Sequence, residues 1–271
     1  MTDQKELAFR YDLFIAPDWR DRFDTLISEN IKMPLEGRFL DVNCGTGAYA
    51  IELAEQLKGK GEVVGFDNDV ERINIARAKT QVQKTKDVRF EEGLATNLPL
   101  KNNEFDVVVG DASLLHTREI EDVLAEMIRV ARPQGTVVLK MATYGSFDEF
   151  FSIYWEALHD VGIDEEVWTS LEHLIKERIT ISTAEALAER SGLSGVESFF
   201  RKEEFQFGTA QDFLESPLIA DSFLEDWLQI VPAESREAVV NKLVSIIERE
   251  RNNAPFEVSI KATVIVGRKS A

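Results

Sequence analysis

Leu40-Asp-Val-Asn-Cys-Gly-Thr-Gly-Ala-Tyr-Ala50 is the stretch that decides the fold. The residues leading into it, Arg38-Phe-Leu-Asp-Val42, read as a short buried strand, and Tyr49 to Leu57 carries Ile51, Leu53, Ala54 and Leu57 on a helical period. A strand therefore runs through a glycine loop into a helix. Gly45 and Gly47 let the backbone turn tightly and approach a ligand with no Cβ in the way. The helix behind them offers unpaired N–H groups and a partial positive charge. Asp67 ends the next strand, Glu62-Val-Val-Gly-Phe66, twenty residues after Gly47. A carboxylate there accepts hydrogen bonds from both hydroxyls of a ribose, so the partners of Asp67 are expected to belong to a ligand. The competing reading makes Asp67 a cap for the helix that starts near Asp69.

Working outward, the same alternation continues. Val70–Val82 reads as a helix, Val88–Glu91 and Phe105–Val109 as strands, Glu119–Ala131 as a helix and Thr136–Lys140 as a strand. Strands alternating with helices imply a parallel sheet covered on both faces. Arg132-Pro-Gln-Gly135 suits a type I turn. Upstream, Ala8, Tyr11, Ile15, Trp19, Phe23, Leu26 and Ile27 recur every three or four residues, which predicts N-terminal helices over 1–36. Downstream, Phe150, Phe151, Tyr154, Trp155 and Leu158 mark a helix over 148–158, and Ser182-Thr-Ala-Glu185 resembles a capping box. Val196–Phe207 and Phe256–Val266 read as strands on either side of a helical stretch. The expected layout is one domain over 1–271: helices over 1–36, a ligand-binding core over 37–141, helical inserts at 142–182 and 208–253, and a final strand in 254–271.

The spacing alone leaves the nucleotide open, because Gly45-x-Gly47-x-x-Ala50 also fits the dinucleotide fingerprint. Asp41, four residues before Gly45, opposes that reading, since its charge repels a pyrophosphate and attracts an amino group. The Asn-Cys-Gly-Thr-Gly context and the final pair of strands also oppose it. Lys and Arg number 31 against 49 Asp and Glu, a formal net charge of −18, which argues against nonspecific binding to nucleic acid. The longest stretch free of Asp, Glu, Lys and Arg, 42–51, is far shorter than the ~20 residues a membrane helix needs. No signal-peptide core follows Met1, so a cytoplasmic protein is expected. Cys44 stands alone, which excludes an internal disulfide and a Cys-rich zinc site.

Asp41-x-x-Cys-Gly-Thr-Gly47 resembles motif I of the class I S-adenosylmethionine-dependent methyltransferases, and Val64-Gly-Phe-Asp67 resembles their ribose-binding motif. Glu92-Gly-Leu-Ala-Thr-Asn-Leu-Pro99, Phe105-Asp-Val-Val-Val-Gly-Asp111 and Glu126–Gly135 resemble the segments that follow. The likeness covers 36–141 well and has the flavour of the small-molecule, quinone-pathway group. It implies a Rossmann-like, doubly wound, seven-stranded, mostly parallel sheet with an antiparallel last strand, a helical N-terminal segment and helical lid inserts. It also implies transfer of a methyl group from S-adenosylmethionine to a small apolar or aromatic acceptor, with no metal. Three positions depart from the family pattern: Asn43 and Gln134 where glycine is usual, and Leu94 where an acid usually holds the adenine amino group.

The resemblance implies cofactor contacts at Asp41, Asn43, Gly45, Thr46, Gly47, Asp67, Asn68, Leu94, Ala95 and Asp111. Tyr11, Trp19, His116, Phe151, Tyr154 and Trp155 are candidates for the acceptor pocket, although aromatic residues on a helical period usually form core. No residue stands out as a catalytic base. His116 reads as an ordinary loop histidine, and His159 and His173 have no metal-ligand spacing. Residues 209–235 hold six acidic residues and no Lys or Arg, the pattern of a lid with a solvated outer face. Two other readings remain open: a binding or scaffold protein on a degenerate methyltransferase fold, and an NAD-dependent oxidoreductase.

Overall fold

The glycine loop leaves β1 (Gly37–Val42) and enters α3 (Ala48–Leu57), as the local pattern requires. A computed structural model of the chain describes residues 3–271. Before β1 lie α1 (Gln4–Arg10), a wide-turn helix (Tyr11–Arg20) and α2 (Asp21–Asn30). After α3 come β2 (Gly61–Asp67), α4 (Val70–Gln83), β3 (Val88–Glu92), β4 (Phe105–Asp111), α5 (Thr117–Val130) and β5 (Ala131–Thr143). The chain continues through α6 (Asp148–Val161), α7 (Asp164–Lys176), α8 (Ile181–Arg190) and β6 (Leu193–Phe207). It ends with α9 (Ala210–Glu215), α10 (Pro217–Ser222), α11 (Leu224–Leu228), α12 (Arg236–Arg251) and β7 (Phe256–Lys269).

The strands form one sheet in the order β3-β2-β1-β4-β5-β7-β6. The pairs β1–β2, β1–β4, β2–β3 and β4–β5 are parallel. The strand order reverses at β1, so the ends of β1 and β4 open the crevice in which ligands of such sheets lie. β7 is antiparallel to its neighbours: Lys269 Nζ donates to Ala131 O at the start of β5, and Ser194 Oγ at the start of β6 donates to Arg268 O.

The chain divides into two compact units. The first comprises Met1–Ala142, Thr180–Arg201 and Ala262–Ala271. Its core packs Ile51, Leu53 and Leu57 of α3 against Val63, Val107, Val109, Val138 and Val264 of the sheet. The central strands carry continuous buried runs, 63–66 in β2 and 107–110 in β4, as strands covered on both faces do. Two local expectations are corrected here. Gln134 has φ +63°, which a type I turn does not allow at that position. The cap of α8 is Thr180, whose hydroxyl accepts from Thr183 N, while Glu185 binds Ser198 Oγ instead of closing a capping box.

The second unit comprises Thr143–Ile179 and Lys202–Lys261, and so contains most of both expected inserts. Its core is aromatic. Phe150 stacks on Trp227 at 4.3 Å between centroids, and Phe147 meets Phe223 and Trp227 edge-on. The Tyr154 hydroxyl donates to Trp227 O at 2.6 Å.

Candidate functional site

Asp67 ties the site together. Its Oδ2 accepts from Gly45 N at 2.8 Å, and its Oδ1 accepts from Asp69 N at 3.0 Å. The cap of α4 is Asp69, which accepts from Glu71 N and Arg72 N, so Asp67 is not the helix cap. Its partners are not the ligand's alone, however, because it already anchors the glycine loop. Each oxygen keeps a lone pair for a further donor.

The loop itself turns through three left-handed residues: Asn43 at φ +57°, Gly45 at +58° and Gly47 at +79°. Asn tolerates this region better than other side chains, and Asn43 Nδ2 also donates to Asp111 O at 2.9 Å. Thus Asn43 occupies a glycine position while tying the end of β1 to the end of β4. A Cβ on Gly47 would lie 2.6 Å from the Phe90 ring, so that glycine serves helix–strand packing. A Cβ on Gly45 would lie 2.4 Å from Arg20 Nη1 and 2.7 Å from the Tyr11 hydroxyl. The open side of the loop is therefore faced by the wide-turn helix.

That helix brings Tyr11 to the loop as well as Arg20, which sequence reasoning missed. Arg20 Nη1 donates to Tyr11 Oη at 3.1 Å, and Arg72 lies over the Tyr11 ring. Trp19 Nε1 donates to Ser113 Oγ at 2.8 Å. Asp12 accepts from Thr46 Oγ1 at 2.5 Å and pairs with Lys79. A cavity of about 380 Å³ on this side is lined by Asp12, Arg20, Asp24, Thr46 and Tyr49 among others.

Beneath the loop lies a buried charge network. Arg20 Nε is 2.9 Å from Asp111 Oδ2, and Lys140 Nζ is 2.7 Å from Asp24 and 3.5 Å from Asp111. Burial works against the Asp111 charge, but Lys140, Arg20 and two hydrogen bonds from Ser113 overrule it and hold the carboxyl below its usual range. Burial likewise opposes the Arg20 and Lys140 charges, and their anionic neighbours keep both pKa values raised. Asp41 differs. Burial pushes it up to about 6, against the pull of Lys140 and Arg20. Both of its oxygens, and Arg20 Nη2, are buried without a hydrogen-bond partner. Buried polar atoms are nearly always satisfied, so this set retains unused capacity for donors and acceptors. Cys44, also buried beneath the loop, has its thiol pushed well above the usual range by burial and by Asp41 and Asp67.

The remaining candidates divide. Asn68 and Leu94 are exposed, and Ala95 is half-buried; Leu94 and Asn97 form a small bridge after β3. His116 precedes α5 at its N-terminus. Phe151 and Tyr154 are core residues of the second unit, whereas Trp155 is 43% exposed and stacks on His159. Among the described residues no cluster of His, Cys, Asp and Glu suits a metal ion. No described helix is long and apolar enough to cross a membrane.

A profile of the methyltransferase-domain family matches residues 36–189. The demethylmenaquinone methyltransferase of Lactococcus lactis is 32% identical over 43% of this chain and 48% of its own length. That of Lactobacillus johnsonii is 25% identical over 69% of this chain and 85% of its own length. The chain thus spans about half of the first relative and most of the second. Among solved structures, the YcgJ protein of Bacillus subtilis has a TM-score of 0.59 at 19% identity, covering 93% of this chain and 99% of its own. A Haemonchus contortus phosphoethanolamine N-methyltransferase, solved with S-adenosylhomocysteine, has a TM-score of 0.59 at 16% identity over 100% of this chain and 59% of its own. These last two show likeness of fold. With the family profile matched across the glycine loop and the strands beyond it, the chain belongs to the methyltransferase-domain family, within the class I S-adenosylmethionine-dependent superfamily.

Proposed function

We propose that the chain binds S-adenosylmethionine at the glycine loop and transfers its methyl group to a small apolar or aromatic acceptor. The observation that carries the reading is the orphaned set beside the loop: Asp41 with two unpartnered oxygens and Arg20 with an unpartnered Nη2. An amino acid's ammonium and carboxylate match these two groups in charge and in hydrogen-bonding capacity. The residues present therefore fit the methionyl end of the cofactor, and Asp67 fits its ribose.

When bound, the cofactor supplies a methyl group already activated on a sulfonium. The chain's task is then alignment and exclusion of water. Asp41 accepts from the ammonium. Arg20, held by Asp111 and Tyr11, donates to the carboxylate. Asp67 accepts from the ribose hydroxyls while keeping Gly45 in place. Asn43 supplies the left-handed turn and shares an anchor with Asp111. Trp19 closes the Ser113 side. The relatives named demethylmenaquinone methyltransferases make an aromatic quinone-type acceptor the first class to try.

Calorimetric titration tests the reading. S-adenosylhomocysteine should bind with a saturable heat, and NAD should not. A ligand at 100 times its dissociation constant adds ~2.7 kcal/mol of stability, a rise of roughly 5–10 °C in Tm for a protein of this size. NAD binding with no response to S-adenosylhomocysteine would overturn the proposal.

A further inference from the structure

In the second unit Lys176, Lys202, Lys242, Arg249 and Arg251 each lie against a carboxylate, those of Glu172, Glu149, Asp160, Glu156 and Glu248. Arg178 does not. Among the described residues, no hydrogen bond or ion pair reaches its guanidinium. Its Cζ lies instead 5.3 Å from the centroid of Phe147 and 5.5 Å from that of Phe223. In a chain with 49 acidic residues, a half-buried arginine that lies over two rings and makes no ion pair is an exception to its own surroundings. Burial lowers its pKa to about 10, with Glu177 pulling the other way, so the group stays charged at neutral pH.

The aromatic partners are fixed. Phe147 is fully buried with φ +65°, a conformation a bulky side chain rarely adopts, and its N–H donates to Ser259 O at 2.7 Å. Such backbone outliers cluster at ligand clamps. Phe223 stacks on Trp227, with centroids 5.5 Å apart and planes within 10°. Ring faces attract the cation but take none of its five N–H donors. The planar fork is left with its hydrogen-bonding capacity intact, in a setting that strengthens any charge-assisted bond it makes.

We propose that Arg178, backed by Phe147 and Phe223, is an anion site of the second unit, taking the oxyanion of a small organic molecule, a carboxylate or a phosphate ester. The fork donates two parallel N–H bonds to two oxygens of the group, and the rings hold the guanidinium in place. The site stands independently of the methyl-transfer reading, because it concerns binding by the second unit's own residues.

The test uses the full chain, with benzoate, phenyl phosphate and neutral benzamide as probes. Calorimetry is read beside tryptophan fluorescence, since Trp227 lies against Phe223. Benzoate or phenyl phosphate should bind saturably, and benzamide should not; the preferred anion identifies the source. Arg178→Met should weaken that binding at least about tenfold, the effect of losing hydrogen bonds to a charged group. Arg178→Lys, which keeps the charge but not the fork, should fall between. Without ligand, Arg178→Met should melt no lower than the parent, since it removes a cation that burial disfavours. Two results overturn the proposal: equal anion binding by the parent and Arg178→Met, or no anion binding by the parent with a lowered melting temperature in the variant. The second would make Arg178 a staple between two rings.

Discussion

Gly45 N donates to Asp67 Oδ2 at 2.8 Å, so the turn proposed to carry the methionyl end of a nucleotide cofactor and the acid proposed to hold its ribose form one hydrogen-bonded piece. Ligand binding and loop order are therefore coupled through a single carboxylate. Asp67→Ala should weaken S-adenosylhomocysteine by roughly 10–150-fold, since hydrogen bonds to a charged group contribute about 1.5–3 kcal/mol. The unliganded protein should also lose about 1–3 kcal/mol, because a buried N–H is left without a partner. Titration beside a melt of the apo form checks both. Unchanged affinity would remove Asp67 from the ligand site.

Asp41 should set a pH step. Its folded pKa is raised to about 6, above the ordinary carboxylate value, so the folded protein holds a proton that the unfolded chain gives up. Stability of the apo form from this group is therefore greatest below pH 4 and falls as pH rises toward 6. Ligand affinity runs the opposite way, because an ammonium needs the ionised carboxylate. Affinity for S-adenosylhomocysteine should be flat above about pH 7 and fall by up to about tenfold per pH unit below 6. Asp41→Asn should bind weakly with no such step. A step of equal size in that variant would assign it elsewhere.

Arg20→Met should strip Asp111 and Tyr11 of a buried partner. Removing one member of a buried ion pair costs about 3–5 kcal/mol, and affinity for the amino-acid end of the ligand should fall with it. Arg20→Lys restores charge without the fork and should recover stability better than affinity. Melts and titrations of the two variants separate these roles. An Arg20→Met protein with unchanged affinity would leave Arg20 a purely structural ion.

Within the second unit, three neighbouring aromatic residues should behave differently. Phe151→Ala should cost about 3–5 kcal/mol as a core truncation. Tyr154→Phe should cost about 1–3 kcal/mol through the stranded carbonyl of Trp227. Trp155→Ala should cost less than about 1 kcal/mol, because its ring is half in solvent. Thermal denaturation ranks them. A Trp155→Ala loss as large as that of Phe151→Ala would contradict the packing described.

The sheet was legible because each of its signals is local: apolar runs for strands, a glycine pair at one strand end, an acid at the next. What lies over the loop was harder to read. Tyr11, Ile15, Trp19, Phe23 and Ile27 recur strictly every four residues. On an α-helix of 3.6 residues per turn each such step drifts ~40°, and a run of them leaves the face. The wide-turn helix over 11–20 absorbs that drift: Asp21 N reaches back five residues to Ala16 O, past the Pro17 carbonyl that an α-helix would use. The strict period was the signal. Arg20 and Lys140 were missed for a related reason. Each is a cation set in an apolar pattern, Arg20 after Trp19 and Lys140 after Val137-Val-Leu139. Their meaning depends on partners distant in sequence, Asp111 for Arg20 and Asp24 for Lys140.

Cys44 turns the loop into a self-reporting element. It is the one cysteine in the sequence, its thiol is closed off beneath the glycine turn, and its N–H is bonded to Phe66 O. A buried thiol held in its protonated form does not react with an alkylating reagent until the structure around it opens. Its labelling rate, compared with that of an exposed thiol, is then a direct measure of how often this one segment leaves its closed state. Without a single mutation, the chain carries a clock for the breathing of its own nucleotide loop.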